Sequence, residues 1–393
     1  MILEEGSTTS HTAVIARAMD IPALAKVDKA TAIIQPGDLL ILDGEAGQVY
    51  VRPAGQIEQV MDAHIKQYAA RAAHYESMKD VAAVTRDGVR ISLNVNAGLF
   101  VDPQSVLQAG VDGIGLYRTE LPYMTSTHFP GVEAQASLYA SIYAQLPGKR
   151  IIFRSFDIGG DKKVPYLHAG EEENPAMGWR ATRIGLDRPG ILRTQFRALI
   201  QAAAGQSLYV LFPFIAQLAE FEAAKRLLMQ EMAEAKALPA ELKVGIMIEI
   251  PAILWQLDAL MQQVDFVSIG SNDLMQFLFA WDRGAPHLAG QYDTLSPVML
   301  RVVHEVVKKA EEHHVEVGFC GEMARKPLDA LALIGAGVRS LSVSASAIGP
   351  LKAMICSMTL SELTAYMQYL LGSSEASIRQ WLEAYAKDHG IVV

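Results

Sequence analysis

The sequence predicts an α/β fold dominated by a (β/α)8 TIM-type barrel, with part of a small α/β domain and a helical linker ahead of it. Three observations predict this. Eight short apolar runs beyond residue 89 alternate with helical stretches, and a strand buried on both faces shows no polar alternation, so such runs read as parallel βα units. Together they cover roughly 250 residues, the size of one barrel. The distinctive polar residues also fall at the C-terminal ends of the runs, where barrel enzymes keep their chemistry. An open doubly wound sheet is the alternative arrangement of the same units.

Residues 1–53 open on a Gly/Thr/Ser loop, continue through a short helical pattern at 13–19, and carry strand-like runs at 39–42 and 48–51. From 56 to 84 the pattern turns helical, with Ile57, Val60, Met61, Ile65 and Tyr68 recurring near three- and four-residue spacing. Residues 54–88 therefore read as a linker helix or helical pair. The barrel follows over 89–393, with strand candidates at 91–95, 113–117, 150–153, 208–212, 244–248, 266–269, 315–319 and 340–343. Residues 360–393 read as helices packed outside it. Met1 stands almost directly before the Gly/Thr/Ser loop, so the chain is expected to begin inside a longer protein.

Of 393 residues, 51% are hydrophobic and 20% charged, enough apolar content to bury a sizeable core. With 43 acidic against 34 basic residues the formal net charge is -9. No basic stripe stands out, which argues against nucleic acid as a partner. The most apolar stretch, 244–261, is broken by Glu249 and Asp258, so no membrane span is expected. Residues 1–5 lack the pattern of a secretory signal. Two cysteines, Cys320 and Cys356, exclude a disulfide framework and fit a reducing, cytoplasmic setting.

Arg118 and Glu120 follow the second strand candidate, Arg154 and Asp157 end the third, and Glu249 ends the fifth. Asn272 and Asp273 follow the sixth, and Cys320 and Glu322 follow the seventh. Guanidinium groups offer forks that match phosphate and carboxylate oxygens, so Arg118, Arg154 and Arg283 together suggest a small polyanion. The alternative is that each arginine pairs with a nearby acid such as Glu120, Asp157 or Asp282. Glu249 and Asp273, at adjacent strand ends, offer two hard oxygen ligands for Mg²⁺. Asp273 could equally cap the helix that follows it.

His11 lies in a Gly/Ser/Thr loop directly before a helical pattern, whose backbone N–H groups favour an anion. A solvated or capping histidine is the competing reading. Cys320 is expected at the barrel mouth, where a thiol is a candidate general acid; buried elsewhere, it would be a small hydrophobe. No Walker phosphate loop is present, so the phosphate chemistry does not point to a nucleotide.

With these residues in place, the chain resembles enzyme I of the bacterial phosphoenolpyruvate-dependent phosphotransferase system. The likeness runs from Gly6 to about Ser357 and rests on ordered motifs: TSHTAVIAR at 9–17, GLYRTE at 115–120, DIGGDK at 157–162, and ENP at 173–175 with GWR at 178–180. It continues through IGSNDL at 269–274, DR at 282–283 and CGEMA at 320–324. The resemblance implies that residues 1–53 are part of a swivelling phosphohistidine domain with His11 as the phosphorylated histidine. It implies that Cys320 delivers a proton to the enolate, and that Arg118, Arg154, Asn272 and Arg283 bind phosphoenolpyruvate beside Asp273. Glu249 and Asp273 match the Mg²⁺ ligands, and Arg180 and Lys162 join the same pocket.

The implied partners are phosphoenolpyruvate and pyruvate, a phosphocarrier histidine protein, and a second copy paired through the barrel. The family's carrier-docking subdomain would precede the residues present here. Tyr117 and LPYM at 121–124 lie closer to the nitrogen-type branch than to the sugar-type one. Ser271 and Met275 stand where the family commonly has threonines, a departure that touches substrate positioning. Two alternatives remain at this level. One is the related pyruvate phosphate dikinase or phosphoenolpyruvate synthase type, against which Thr12 and the lack of a nucleotide-binding domain count. The other is a non-catalytic phosphoenolpyruvate-binding dimerisation module.

Overall fold

Turn chemistry shapes the N-terminal hairpin. Asp43 accepts the Ala46 N–H at 2.8 Å and Gly47 adopts φ +66°, a region glycine enters without steric cost. In this computed structural model the flanking runs, Leu40–Asp43 (β1) and Gln48–Val51 (β2), pair antiparallel. The structure describes all residues except 6–15, 17–20, 45, 99–105, 107–109, 161, 163, 165, 168–169, 171, 283–284 and 289–290. The loop bearing His11 and nearly all of the helical pattern expected at 13–19 thus lie outside the described residues.

The chain divides into two units, Met1–Lys79 and Asp80–Val393. The first also contains a short helix, Ala30–Ile33 (α1), and a 23-residue helix, Gly55–Ser77 (α2). The helical pattern expected to reach residue 84 stops at Ser77. Val84 instead bridges Arg90 antiparallel across a turn in which Gly88 has φ +83°. That hairpin takes up backbone hydrogen bonds that a continuing helix would need, so local turn pairing overrides the helical periodicity.

In the second unit, the strands among the described residues close into a parallel barrel. They are Ser92–Ala97 (β3), Gly113–Arg118 (β4), Arg150–Arg154 (β5), Ser207–Phe212 (β6), Glu241–Ile248 (β7), Phe266–Ile269 (β8), Glu316–Phe319 (β9) and Ser340–Val343 (β10). Each expected run falls on one of them. β10 pairs with both β9 and β3, which seals the ring and rules out the open sheet. Leu116, Ile152, Leu211, Met247, Phe266 and Cys320 fill the interior. At the N-terminal end Arg150 pairs with Glu316 and lies 4.6 Å from the Tyr209 ring centre.

Among the described residues this unit also carries the helices Leu121–Thr125 (α3), Val132–Gln145 (α4), Thr182–Asp187 (α5), Pro189–Ala202 (α6), Leu218–Glu234 (α7), Leu257–Met261 (α8) and Ser271–Leu278 (α9). They continue with Pro297–Glu312 (α10), Pro327–Gly335 (α11), Ala345–Ser357 (α12), Leu360–Leu371 (α13) and Arg379–Asp388 (α14). Their apolar faces join the outer sides of the strands in one core that includes Phe153, Phe196, Phe212 and Phe221. Burying side chains of this kind contributes about 2–3 kcal/mol each before entropy is counted. α13 and α14 form the expected C-terminal helices, and the Asp87 carboxylate accepts the Leu360 and Ser361 N–H groups at the start of α13, both at 2.9 Å. Among the described residues no helix is long and apolar enough to cross a membrane.

Candidate active site

Parallel strands point all their C-terminal ends one way, so residues at those ends share a rim. Arg118 ends β4, Arg154 ends β5, Glu249 follows β7, Asn272 and Asp273 lie in the first turn after β8, and Cys320 follows β9. The long connection after β5 folds back through Gly159, which bridges both Lys162 and Arg180. Gly159 has φ +104°, and a Cβ there would meet the Trp179 carbonyl oxygen at 2.5 Å, so only glycine permits the fold-back. Lys162 and Arg180 thereby join the rim.

A buried ion network results. Arg154 pairs with Glu120, and its Nη1 lies 2.8 Å from Asp157. Lys162 reaches Asp157 and, at 3.2 Å, Glu120. Arg180 bridges Asp157 at 3.2 Å and Asp273 at 2.9 Å. Arg154 therefore adopts the acid-pairing arrangement that sequence reading held as an alternative. Asp273 lies in the first turn of α9, and its carboxylate accepts from Arg180. Glu249 accepts the Phe214 N–H at 2.7 Å, and Asn272 accepts the Glu322 N–H at 3.2 Å. Arg283 and His11 lie outside the described residues.

Environment sets the protonation states. Burial raises the Glu120 and Asp157 carboxyls, but Arg154 and then Lys162 outweigh it and hold both below the usual carboxylate range. Glu249 goes the other way: burial first, then the Asp273 and Asp157 carboxylates, push it up to about 8. Burial also raises the Cys320 thiol, only partly offset by a hydrogen bond with Ser268 and by Arg154. Cys320 is 4% exposed, and a thiol held up in this way keeps its proton at neutral pH. That is the state a general acid needs.

Glu249 and Asp273 follow the neighbouring strands β7 and β8. Two close carboxylates, one of them raised by the other's charge, are a donor set that a divalent cation would relieve. Mg²⁺ typically takes one or two carboxylates and completes its shell with water and phosphate oxygens. The described residues contain no cluster of three or more His, Cys, Asp or Glu that could hold a metal, and Mg²⁺ does not need one. The residues fit that ion.

Sequence reading missed several contributors. Phe214 adopts φ +61°, strained for a bulky residue, and so aims its N–H at Glu249 while its ring lies 4.8 Å from the guanidinium of Arg180. No local pattern announces this. Asn96 donates to the Cys320 carbonyl at 3.1 Å and accepts from Ser342 at 2.8 Å. The alternating Asn94 and Asn96 in an otherwise apolar run were the available signal. Thr119 and Gln195 were also missed.

Cationic forks, paired acids and a protonated thiol thus share one rim of a closed parallel barrel, the end at which barrel enzymes carry their sites. The family description "PEP-utilising enzyme, PEP-binding domain" matches residues 72–360, and "PEP-utilising enzyme, mobile domain" matches 1–47. The phosphoenolpyruvate-protein phosphotransferase of Latilactobacillus sakei is 36% identical over 393 residues, covering 98% of this chain and 68% of that protein. The phosphoenolpyruvate-protein phosphotransferase of Bacillus subtilis (strain 168) is 35% identical over 373 residues, covering 94% and 65%. The multiphosphoryl transfer protein of Rhodobacter capsulatus is 38% identical over 358 residues, covering 91% and 43%. The chain belongs to the PEP-utilising enzymes and, within them, to the phosphoenolpyruvate-protein phosphotransferase (enzyme I) family. It spans about two thirds of the length of the first two of these relatives, 68% and 65%, and 43% of the third.

Proposed function

We propose that this chain binds phosphoenolpyruvate at the barrel rim and transfers its phosphoryl group to His11, from which it passes to a histidine carrier protein as pyruvate is released. The observation that carries this reading is the convergence of Arg118, Arg154, Lys162 and Arg180 on a rim that also holds Glu249, Asp273 and the protonated Cys320 thiol. Residues 1–53 carry the histidine, 54–88 link, and 89–393 bind the substrate; the family matches at 1–47 and 72–360 support this division. The reaction is placed in the cytoplasm, where both cysteines stay reduced.

The neutral His11 imidazole attacks phosphorus, and the bridging P–O bond breaks with its electron pair leaving on the enolate oxygen. Arg118, Arg154, Asn272 and Arg283 orient the substrate and spread charge on the transferring oxygens, with Lys162 and Arg180 adding to the field. When bound at Glu249 and Asp273, Mg²⁺ supplies charge neutralisation at the phosphate oxygens. The Cys320 thiol donates its proton to the enolate carbon, giving pyruvate, and the thiolate regains a proton from solvent. The reading also includes pairing of two chains through the barrel unit; exposed Val298, Tyr369 and Trp381 on α10, α13 and α14 support it.

Mass spectrometry after incubation with phosphoenolpyruvate and Mg²⁺ tests the central step. An acid-labile phosphoryl group on His11 is expected. A chain that binds phosphoenolpyruvate yet never carries phosphate on His11 overturns the reading.

A further inference from the structure

Gln195 has no charge, lies on α6 outside the barrel and is fully buried, yet its amide joins two of the charged turns. Its Oε1 accepts the Phe156 N–H at 2.7 Å. Its Nε2 donates to Thr119 Oγ1 at 2.9 Å and lies 3.4 Å from the Tyr139 hydroxyl. Thr119 Oγ1 in turn donates to the Arg154 carbonyl at 2.8 Å. Thr119 stands between Arg118 and Glu120, and Phe156 directly precedes Asp157.

We propose that Gln195 is a positioning residue for anion binding, setting the spacing between the turn that carries Arg118 and Glu120 and the turn that carries Arg154 and Asp157. The inference rests on the reading that this rim binds phosphoenolpyruvate. Hydrogen-bond stoichiometry selects an amide at this place. The Phe156 N–H requires an acceptor, while Thr119, whose one hydroxyl hydrogen goes to the Arg154 carbonyl, requires a donor. Glutamate offers acceptors alone, and methionine fills the volume but satisfies neither group. The β4–β5 ladder ends at the Arg118–Arg154 pair, so beyond it the amide is a link from Thr119 to Phe156 that the variant loses, while the ion network remains. A misplacement of about 1 Å is enough to cost roughly a hundredfold in a site built on orientation.

Gln195→Met, Thr119→Val and Thr119→Ser, made in the full chain, test this. The Kd for phosphoenolpyruvate with Mg²⁺ is measured by calorimetry with His11→Ala added to every chain, wild type included, so that the ligand is bound and not consumed, and well below each unfolding midpoint, where a merely structural role leaves the affinity of the folded protein unchanged. Gln195→Met and Thr119→Val are expected to weaken binding at least tenfold with one site per chain retained, and Thr119→Ser to restore wild-type affinity. Wild-type affinity in both Gln195→Met and Thr119→Val, or equal loss in Thr119→Val and Thr119→Ser, overturns the inference. If Gln195→Met does not fold, the threonine pair decides alone. A wild-type chain that binds no phosphoenolpyruvate removes the underlying reading, and this inference with it.

Discussion

Taking away Arg154 would leave two carboxylates behind in a nearly dry site. Arg154, Glu120 and Asp157 are 6%, 3% and 0% exposed, and the guanidinium contacts both acids. Breaking a buried pair by deleting one partner costs about 3–5 kcal/mol, because the survivor stays buried and charged. Here Lys162 still reaches both acids and Arg180 still reaches Asp157, which places Arg154→Met at the lower end, about 3 kcal/mol. Adding Glu120→Gln neutralises one of the two carboxylates, so the double variant should cost only about 1–2 kcal/mol, less than Arg154→Met alone, which is a favourable coupling of at least about 1–2 kcal/mol whatever Glu120→Gln costs by itself. Phosphoenolpyruvate binding should behave differently. It weakens about ten- to a hundredfold in both variants, since a charged hydrogen-bonding fork worth about 1.5–3 kcal/mol is missing from each. All four tryptophans, Trp179, Trp255, Trp281 and Trp381, lie in the Asp80–Val393 unit, so their fluorescence in urea reports on the barrel alone. Strict additivity of the two stability changes, or recovery of phosphoenolpyruvate binding in the double variant, would refute this reasoning.

Three further outcomes are expected. Cys320→Ala should slow pyruvate release by about a hundredfold or more while the Kd for phosphoenolpyruvate stays within a few-fold, and single-turnover kinetics at wild-type rate would remove the proton-donor role. Asp87→Ala should cost about 1 kcal/mol at pH 7 by stripping the acceptor from the start of α13. Hydrogen bonds from Thr85, then from Leu360, hold the Asp87 carboxyl below the usual range. Its contribution is therefore present above about pH 4 and lost as pH falls further. The gap between the urea midpoints of wild type and variant should begin to narrow only below about pH 4 and keep narrowing as the medium is made more acidic; a gap that widens with falling pH contradicts the assignment. Gly321→Ala would set a Cβ 1.9 Å from Ser271 Oγ and 2.5 Å from its backbone nitrogen. Forcing β8 and β9 apart at the rim should cost about 2–3 kcal/mol and lower kcat by displacing Cys320, whereas an unchanged urea midpoint would show that the rim yields freely.

The sequence by itself determined the βα alternation and the end of the barrel at which these charged residues gather. A strand covered on both faces must be apolar along its length, so runs such as Ile151–Ile152–Phe153 and Val244 to Ile248 announce themselves without reference to any neighbour. Polar residues that close those runs then necessarily share one rim. The tertiary structure alone decided which charges meet. Arg180 and Asp273 are 93 residues apart, and Gln195 and Thr119 are 76 apart, separations across which no local periodicity carries information. It also decided that the helical pattern toward residue 84 yields to a hairpin after Ser77, and that Phe214 accepts a strained backbone to serve Glu249. Partner choice in a barrel depends on strand order, ring closure and the path of the long connections. Each is a distance in space, and burial makes that distance decisive by removing the water that would otherwise screen any charge from any other.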